Sequence, residues 1–367
     1  MISSLHRPTL AKVDLSAISS NIKEVQNHIP QDVKTLAVVK ANAYGHGAVA
    51  VANHVQDLVD GFCVSNIDEG IELRQAGLRK PILILGVVLP DEVSLARDNR
   101  LTLNIDSLDW LEMAQEQQIA LDGLLVHLAV DSGMGRIGVR SLSEANELIA
   151  GLRQAGSQVE GIFTHFSTAD EIDTSYFEKQ AGRFKAVLAV LEKLPRYVHV
   201  SNSATALWHP DVPGNMIRYG VAMDGFDPSG NKLAPSYALK PALRLTSELI
   251  HVKRLAAGEG IGYGETYVTE SEEWIGTVPI GYADGWLRHL QGFTVLVNGK
   301  RCEIVGRVCM DQCMIRLAEE VPVGSVVTLV GKDGNEENTL QMVAEKLETI
   351  HYEVACTFSQ RIPREYN

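Results

Sequence analysis

TLAVVKANAYGHG, residues 35–47, joins a short apolar run to a loop of small residues. The run has the length and β-branched content of a buried parallel strand, so Lys40 falls where a strand tip meets a loop. An apolar floor beneath the ammonium group lowers the pKa of an amine by desolvation and favours Schiff-base chemistry. A lysine that only extends its stem from a strand end is the commoner alternative, and this stretch alone leaves both interpretations open.

The same pattern, a short apolar run bounded by turn residues, recurs through about the first 220 residues. Amphipathic stretches with helix caps lie between most of the runs: Asn66, followed by Glu69, begins one, and residues 141–152 form another. Eight strands alternating with helices are typical of an α/β fold of the (β/α)8 TIM-barrel type, which we predict for residues 1–240. The predicted strands are 36–39, 61–64, 81–85, 101–105, 124–130, 159–164, 197–200 and 215–218.

Beyond about residue 240 the pattern changes. Alternating stretches at 243–246 and 293–299 indicate antiparallel strands with tight turns, and 326–331 adds another strand. Asn338 is predicted to cap a late helix that continues to about Thr349. Residues 241–367 are therefore predicted to form a second, all-β-type domain, with which the start of the chain, to about residue 10, is expected to pair.

Composition limits the classes of function. The chain has 33 basic and 46 acidic residues, a formal charge of -13, so neither nucleic acid nor an anionic membrane surface is an expected partner. No apolar run approaches the ~20 residues of a membrane span, and the N-terminus lacks the apolar core of a secretory signal, so a cytoplasmic location is expected. Five scattered cysteines fit a reducing compartment better than a disulfide framework.

No metal site is predicted. Cys302, Cys309 and Cys313 cluster in sequence, but they lack the C-x-x-C spacing of a zinc site and have no histidine among them. Buried free thiols are the expected outcome.

The polar residues at the predicted strand ends are the candidates for chemistry, because the loops after the strands of a barrel open onto one face. The loops after the seventh and eighth strands are the customary phosphate seat of such a barrel, and Ser and Gly suit that task. The run Ser201, Asn202 and Ser203 could simply cap a helix, and because capping and phosphate binding need the same geometry, the two interpretations are compatible. These residues are, in chain order, Lys40, Tyr44, Asp131, Arg136, His165, Ser201, Asn202, Ser203, Arg218, Tyr219 and Gly220.

A nucleophilic lysine facing a phosphate seat suggests pyridoxal 5′-phosphate (PLP) as cofactor. An aldolase that forms a Schiff base with a phosphorylated carbonyl substrate uses the same parts, although it needs neither Arg218 nor a second domain. His46, His127, His199 and His251 lie in or beside predicted strands and are expected to be hydrogen-bonded structural residues.

The glycine-rich run 258–264 misses the G-x-G-x-x-G spacing and carries no dinucleotide signal. It leaves Tyr263 prominent, and taken alone that residue is more simply an exposed loop aromatic.

Seven motifs along essentially the full length resemble those of the alanine racemases, PLP enzymes of fold type III. The lysine motif alone would be shared less exclusively, but the set together is specific. The motifs are AVVKANAYGHG (37–47), DSGMGRIG (131–138), THF (164–166), HVSNSA (199–204), GYGETY (262–267), GYADG (281–285) and GRVCMD (306–311).

The resemblance implies interconversion of L-alanine and D-alanine, which would supply D-alanine for cell-wall precursors. It implies a head-to-tail homodimer in which the β-rich domain of one subunit covers the barrel mouth of the other. Lys40 would carry the cofactor as an internal aldimine and act as the base on the D-face of the substrate Cα in the external aldimine. Tyr263 of the partner subunit would be the base on the L-face, hydrogen-bonded to His165, which is itself tied to Arg218.

The remaining roles also follow from the resemblance. Arg218 would face the pyridine nitrogen, and because a guanidinium does not readily release a proton, the ring would stay unprotonated and be a weaker electron sink. Phosphate-binding positions are Tyr44, Ser203, Gly220, Val221 and Tyr352. Arg136 would hold the cofactor's phenolic oxygen and the substrate carboxylate, assisted by the Met310 backbone. The supporting network is His199 and Tyr282, and the substrate corridor is lined by Asp170, Arg288, Arg307, Asp311 and Ile350.

Two positions depart from the family pattern. Ala129 stands where many relatives have a lysine that becomes carbamylated and orients the arginine matching Arg136, so we hypothesise a bound chloride near Ala129 and Arg136. Asp224 replaces a tyrosine common before the glycine matching Gly225.

Three alternatives stay open on the sequence. A broad-specificity amino acid racemase is favoured by the missing lysine. A non-catalytic PLP-binding homeostasis protein would share the first barrel motif but is a single barrel. A fold-type III amino acid decarboxylase would share both domains but lacks these tyrosine motifs.

Overall fold

A computed structural model describes residues 2–367 of the chain. They form two compact units. Residues 17–43 and 47–241 make up the first, here called the barrel unit. Residues 2–16, 44–46 and 242–367 make up the second, here called the β unit.

The strands, in chain order, are β1 (Leu10–Val13), β2 (Lys34–Val38), β3 (Gly61–Val64), β4 (Ile82–Val87), β5 (Thr102–Ile105), β6 (Leu125–Ala129), β7 (Gln158–Phe163), β8 (Tyr197–His199), β9 (Met216–Tyr219), β10 (Leu243–Glu248), β11 (His251–Leu255), β12 (Gly260–Ile261), β13 (Tyr267–Val268), β14 (Glu273–Val278), β15 (Thr294–Val297), β16 (Lys300–Val305), β17 (Cys313–Leu317), β18 (Val326–Asp333), β19 (Glu336–Asn338) and β20 (Arg364–Tyr366).

The α-helices are α1 (Leu15–His28), α2 (Ala48–Val55), α3 (Ile67–Gln75), α4 (Val93–Asp98), α5 (Leu108–Glu116), α6 (Leu142–Gln154), α7 (Ser175–Ala189), α8 (Ser203–Trp208), α9 (Leu340–Lys346) and α10 (His351–Thr357). Short 3₁₀ turns lie at Pro90–Glu92, Tyr263–Glu265, Tyr282–Asp284 and Arg288–Leu290.

The barrel unit confirms the predicted (β/α)8 architecture. Its eight parallel strands follow the order β8-β7-β6-β5-β4-β3-β2-β9, and an isolated parallel bridge between Ser201 and Ile217 joins the two ends of that sheet. Each strand has apolar residues on both of its faces, as expected for parallel strands that are covered by helices. In β3, for example, all four residues are buried. All eight predicted strands overlap the observed ones.

The last strand begins and ends one residue later than predicted, at Met216–Tyr219 instead of 215–218. Asn215 precedes β9, and its side chain instead closes the connection from β8, accepting from the Val198 N–H and donating to the Arg196 carbonyl at 2.9 and 2.8 Å.

The predicted helix starts are confirmed with one change. The Ser141 hydroxyl accepts from the Glu144 N–H, and the Glu144 carboxylate accepts from the Ser141 N–H, a complete capping box. Asn66 likewise accepts from the Glu69 N–H at 3.0 Å. The Glu69 carboxylate, however, bonds elsewhere, as described below for the site.

The β unit is strand-rich, as predicted. Its main sheet runs β11-β14-β17-β16-β15-β18-β10-β1-β20, so β1, from the start of the chain, lies between β10 and β20. β15 and β16 form a hairpin whose two turn residues, Asn298 and Gly299, have φ of 52° and 72°, the conformation that an Asn-Gly pair favours.

The predicted cap at Asn338 is wrong. Asn338 ends β19, and its amide donates to the Thr294 carbonyl at 2.7 Å. The Thr339 hydroxyl caps α9 instead, accepting from the Met342 N–H. The helix ends at Lys346, and a separate helix, α10, follows. Among residues 2–367, no helix combines the length and apolar character needed to cross a bilayer.

Candidate active site

Lys40 begins a left-handed turn at the carboxyl end of β2. Ala41, Asn42 and Ala43 have φ/ψ of 51°/48°, 56°/44° and 50°/55°. This conformation costs an L-residue roughly 1–2 kcal/mol, and such strain is concentrated at functional sites, where the surroundings must impose it. The turn therefore holds Lys40 at a defined point above the strand.

Two side chains impose the turn. Asn42 Oδ1 accepts from the Ala48 N–H at 2.8 Å. The Glu69 carboxylate reaches across from α3, where Oε1 accepts from the Ala41 N–H at 2.8 Å and Oε2 from the Ser65 N–H at 2.6 Å. The sequence pattern predicts only a helix-capping role for Glu69, and the structure adds these two contacts. The position of this carboxylate, in the first turn of the helix that follows the neighbouring strand β3, was the one sequence signal for the contact. Its partner, the Ala41 amide, is brought close only by the tertiary structure.

Arg218, near the end of β9, lies at the centre of a buried polar network. Its side chain is nearly inaccessible to solvent, at 4% exposed. Nη1 donates to His199 Nδ1 at 2.7 Å, and Nη2 donates to the Thr164 carbonyl at 3.0 Å and faces His165 Nδ1 at 3.3 Å. Burial lowers the pKa of Arg218 to about 10, so the guanidinium stays charged near neutral pH. The predicted link between Arg218 and His165 is present.

The arginine fixes the tautomers of the histidines behind it. Because a guanidinium can only donate, His199 Nδ1 must accept, so the His199 proton lies on Nε2. That proton is donated to His127 Nδ1, 2.8 Å away. Gly161 makes room for this pair, since a Cβ there would stand 2.5 Å from His127 Nδ1. His127 is a hydrogen-bonded structural histidine, as predicted, but it also extends the Arg218 network.

All three histidines of this region are neutral at physiological pH. Burial, reinforced by the Arg218 charge, lowers the pKa of His127 and of His165 to about 3, and that of His199 well below its ordinary value. The charges of Arg136 and Lys40 also contribute to lowering the pKa of His165. The charges of three residues, Arg218, Arg136 and Lys40, thus act on His165 at the carboxyl ends of the strands.

The loops after β8 and β9 meet, as the predicted phosphate seat requires. Asn202 Oδ1 accepts from the Thr205 N–H at 2.9 Å and caps α8. The Ser203 hydroxyl accepts from the Gly220 N–H at 3.0 Å and the Ala222 N–H at 3.4 Å. The same loop therefore both caps α8 and forms a small, uncharged cradle, made of the Ser203 hydroxyl and the backbone of residues 220–222. Val221 lies between the two residues whose amides bond to Ser203.

These residues fit PLP. The cofactor requires an amine for its aldehyde, uncharged donors for its phosphate and a partner for its ring nitrogen. Lys40 supplies the amine, the Ser203 hydroxyl accepts from two loop amides and keeps its own proton to donate to a phosphate, and Arg218 supplies a buried donor that keeps its proton. Arg136 lies exposed on the loop after β6, and Asp170, whose pKa burial raises, lies on the loop after β7. Ala129 is the buried last residue of β6.

The β unit carries the other predicted residues. Tyr263 is 68% exposed and begins the turn Tyr263–Glu265, flanked by Gly262 and Gly264, whose φ values are 74° and 76°. A Cβ on Gly264 would lie 3.0 Å from an Arg307 guanidinium nitrogen, so Arg307 packs behind the turn.

Tyr282 and Met310 are exposed on neighbouring segments. The Tyr282 N–H donates to the Cys309 carbonyl at 3.1 Å, and the Ala283 N–H donates to the Met310 carbonyl at 3.1 Å. Asp311 pairs with Arg361 at 2.6 Å, and Arg288 begins the last 3₁₀ turn.

Two predicted phosphate-binding tyrosines, Tyr44 and Tyr352, lie together in the β unit, with ring centroids 6.2 Å apart and nearly perpendicular planes. Ile350 is exposed at the start of α10. Cys63, buried in β3, was not singled out for chemistry; burial raises its pKa to about 12, while the charges of Arg218 and Lys40 act in the opposite direction.

Known proteins match the chain along its length. The family model for the alanine racemase N-terminal domain matches residues 13–228, and the one for the C-terminal domain matches residues 242–366. An alanine racemase of Streptococcus mutans is 58% identical over 367 residues, covering 100% of this chain and 99% of the relative.

Solved structures agree. The structure of alanine racemase from E. faecalis has a TM-score of 0.98 at 71% identity and 100% coverage of both chains. That of alanine racemase from Bacillus anthracis, with bound L-Ala-P, has a TM-score of 0.94 at 43% identity, covering 99% of this chain and 96% of that one. Because the two family models together match most of the chain and two of these relatives are 58% and 71% identical over its full length, the chain belongs to the alanine racemase family.

Proposed function

We propose that the chain is a PLP-dependent racemase that interconverts L-alanine and D-alanine by proton transfer at Cα and supplies D-alanine for cell-wall precursors. The observation that carries the proposal is the charged, buried Arg218 and its neutral histidines at the same barrel face as the strained Lys40 turn. An aldolase or a simple binding protein has no evident need for that network. The full-length similarity to alanine racemases supports the same substrate.

Racemisation requires two bases, since one face of Cα must lose a proton while the other gains one. Bound PLP would draw electrons from Cα and so acidify its C–H bond. We assign Lys40, which would also hold the cofactor through its amine, to the D-face. We assign Tyr263 of the partner subunit to the L-face, and its exposure in the single chain leaves its hydroxyl available for that purpose.

The other residues would bind and orient. Arg218 would donate to the ring nitrogen without giving up its proton, which should limit side reactions such as transamination. Arg136, with the Met310 backbone, would hold the substrate carboxylate. His199 and Tyr282 would support the network. The phosphate would lie among Tyr44, Asn202, Ser203, Gly220, Val221 and Tyr352, and the corridor among Asp170, Arg288, Arg307, Asp311 and Ile350.

We further infer a homodimer in which residues 241–367 of one subunit cover the barrel mouth, within residues 1–240, of the other. Four apolar or aromatic side chains, those of Tyr263, Tyr282, Met310 and Ile350, are exposed in the β unit and suit burial against a partner. The five cysteines, all free thiols, support a reducing compartment such as the cytoplasm.

A chloride ion beside Arg136 is the counter-ion that we propose in place of a carbamylated lysine. Ala129 ends β6 with a buried methyl group, which offers no negative charge. If removal of halides changes neither activity nor the order of the Arg136 side chain, this part of the proposal fails.

The decisive experiment incubates the PLP-loaded protein with L-alanine in deuterated water. We expect D-alanine that carries deuterium at Cα, while the L-alanine recovered early keeps its hydrogen, because separate bases serve the two faces. Lys40→Ala and Tyr263→Phe should each abolish or strongly reduce inversion. Absence of both inversion and Cα exchange in the loaded wild-type protein would refute the racemase proposal.

A second candidate is a broad-specificity amino acid racemase, favoured by Ala129 because a less tightly held arginine could accept varied substrates. Rates with alanine, serine, lysine and arginine distinguish the two. A rate with alanine at least about tenfold above the others, a difference of about 1.4 kcal/mol, favours the alanine-specific enzyme.

A further inference from the structure

We propose that α7 is a brace that fixes the loop carrying Arg136 relative to the strand end carrying His165, with Tyr176, Gln180 and Arg183 as positioning residues. The proposal deepens the proposed function, because it concerns the arginine that would hold the substrate carboxylate.

The three residues form one stripe along the helix. They are spaced at i, i+4 and i+7, which places them on the same face over two turns. Gly133 of the Arg136 loop packs directly on that stripe. A Cβ built on Gly133 would lie 2.8 Å from Tyr176 Oη, 3.1 Å from Gln180 Cγ and 3.2 Å from Arg183 Nη1. The loop and the helix face are therefore in close contact.

Two of the residues hold successive carbonyls of the loop. Tyr176 Oη donates to the Gly133 carbonyl at 2.8 Å, and Arg183 Nη1 donates to the Ser132 carbonyl at 3.1 Å. Both donors are side chains of one helix, so the loop backbone three and four residues before Arg136 cannot shift relative to that helix without breaking them.

The third residue holds the neighbouring strand end. Gln180 is fully buried, and its Nε2 donates to the His165 carbonyl at 3.2 Å. Its Oε1 accepts from the Ser167 N–H at 2.9 Å and the Ser167 hydroxyl at 3.0 Å. One helix face thus ties the loop after β6 and the loop after β7 into a single arrangement.

The loop is also closed on itself, so the brace acts on a preformed unit. Asp131 Oδ1 accepts from the Gly133 N–H at 3.0 Å and the Gly135 N–H at 2.9 Å. The Ser132 hydroxyl lies 2.8 Å from the Thr164 hydroxyl, which donates to the Val130 carbonyl at 2.7 Å. These contacts order the turn up to Gly135 and leave the next residue to project from it.

The brace matters in this chain because position 129 supplies no charged side chain that could orient Arg136. The Ala129 side chain is a buried methyl group, and Arg136 is exposed. With no charged side chain at position 129, the backbone that carries Arg136 determines where the guanidinium projects, and the proposed chloride would act on a side chain already placed by that backbone. A fixed backbone limits the conformational entropy that Arg136 loses when it binds a carboxylate.

The test compares Tyr176→Phe, Arg183→Gln and their double variant with Lys185→Gln, which removes a charge from an exposed position of the same helix. The first measurement is hydrogen–deuterium exchange of a peptide covering residues 131–139. Loss of each bond should speed local exchange by about fivefold, whereas the Lys185 variant should match the wild type. Tyr176→Phe removes only one hydroxyl and should retain the wild-type far-ultraviolet circular dichroism.

The second measurement separates positioning from general structural damage. In the PLP-loaded enzyme we expect KM for alanine to rise by about fivefold or more in the double variant, with a smaller change in kcat, and Arg183→Lys to restore part of the loss. Unchanged exchange at 131–139 in the double variant overturns the brace. Faster exchange with unchanged KM overturns its role in positioning Arg136. If the wild type does not racemise alanine, the proposed function fails, while the exchange measurement still decides whether the brace exists.

Discussion

At the scale of single residues, the network around Arg218 depends on fixed proton positions. His199 Nε2–H has one buried acceptor, His127 Nδ1, at 2.8 Å. His127→Leu should leave that N–H without an acceptor and cost about 1–3 kcal/mol of unfolding free energy. His127→Asn offers a carbonyl oxygen and should cost less. Urea unfolding of the two variants measures the difference, and equal losses of unfolding free energy would show that the His127–His199 hydrogen bond contributes nothing to stability.

The substitution His127→Asn should also change how stability depends on pH. Burial lowers the pKa of His127 to about 3, against 6.5 for the ordinary group, so the unfolded chain binds more protons between these values. His127 therefore lowers stability as the pH falls below 6.5 and contributes no slope above it. In His127→Asn, stability should fall less steeply between about pH 6 and about pH 4, by about 1.4 kcal/mol per pH unit.

Asp224, whose pKa burial raises, acts in the opposite sense, but it is present in both proteins and cancels in the comparison. A variant with the wild-type slope would show that His127 is not held neutral in the folded protein.

The residues that could be predicted from the sequence are those whose role follows from a position at the carboxyl end of a strand. Lys40, His165 and Arg218 were predicted in this way; in the structure Arg218 is hydrogen-bonded to His165, and the charges of Arg218 and Lys40 both lower the pKa of His165. The sequence predicted only local roles for Glu69 and His127, because their partners, Ala41 and His199, are distant in sequence and come close only through the barrel register.

At the scale of elements, the left-handed turn after β2 is the least expected feature. Ala41 is exposed with φ of 51°. Ala41→Val should cost at least about 1 kcal/mol, since a β-branched side chain is disfavoured at positive φ. Ala41→Gly should be neutral or stabilise by up to about 1 kcal/mol, because glycine adopts this conformation without strain. Chemical denaturation measures both.

The matched control is Ala186→Val, at an exposed position inside the right-handed helix α7. There the helix propensities predict a loss below about 1 kcal/mol. If the two valine variants lose the same stability, the turn at Ala41 is not strained.

Element boundaries show what a sequence pattern can and cannot supply. The parallel strands were predictable because burial on both faces produces continuous apolar runs. The helix start at Asn338 was misplaced by one residue, since Thr339 is an equally suitable cap and the choice depends on the contact of Asn338 with Thr294. The left-handed turn had no signal at all, because Ala and Tyr are poor choices for positive φ.

At the scale of the whole molecule, the two proposed bases lie on different compact units: Lys40 in the barrel unit and Tyr263 in the β unit. The proposed dimer joins them across subunits, so each active site would take one base from each chain. Such a shared site can be tested by an experiment whose positive result requires two chains in one dimer.

Lys40→Ala and Tyr263→Phe, each nearly inactive alone, should restore activity when they are mixed and allowed to exchange subunits. In a mixed dimer one site carries both substitutions, while the other carries the intact Lys40 of one chain and the intact Tyr263 of its partner. Random exchange between equal amounts of the two variants makes half of the dimers mixed, and each mixed dimer has one intact site of two, so about one quarter of the wild-type activity should return. Separate proteins mixed without subunit exchange are the control. If Tyr263 acts within its own chain, every site in the mixture lacks one base and no activity returns, even though dimers form.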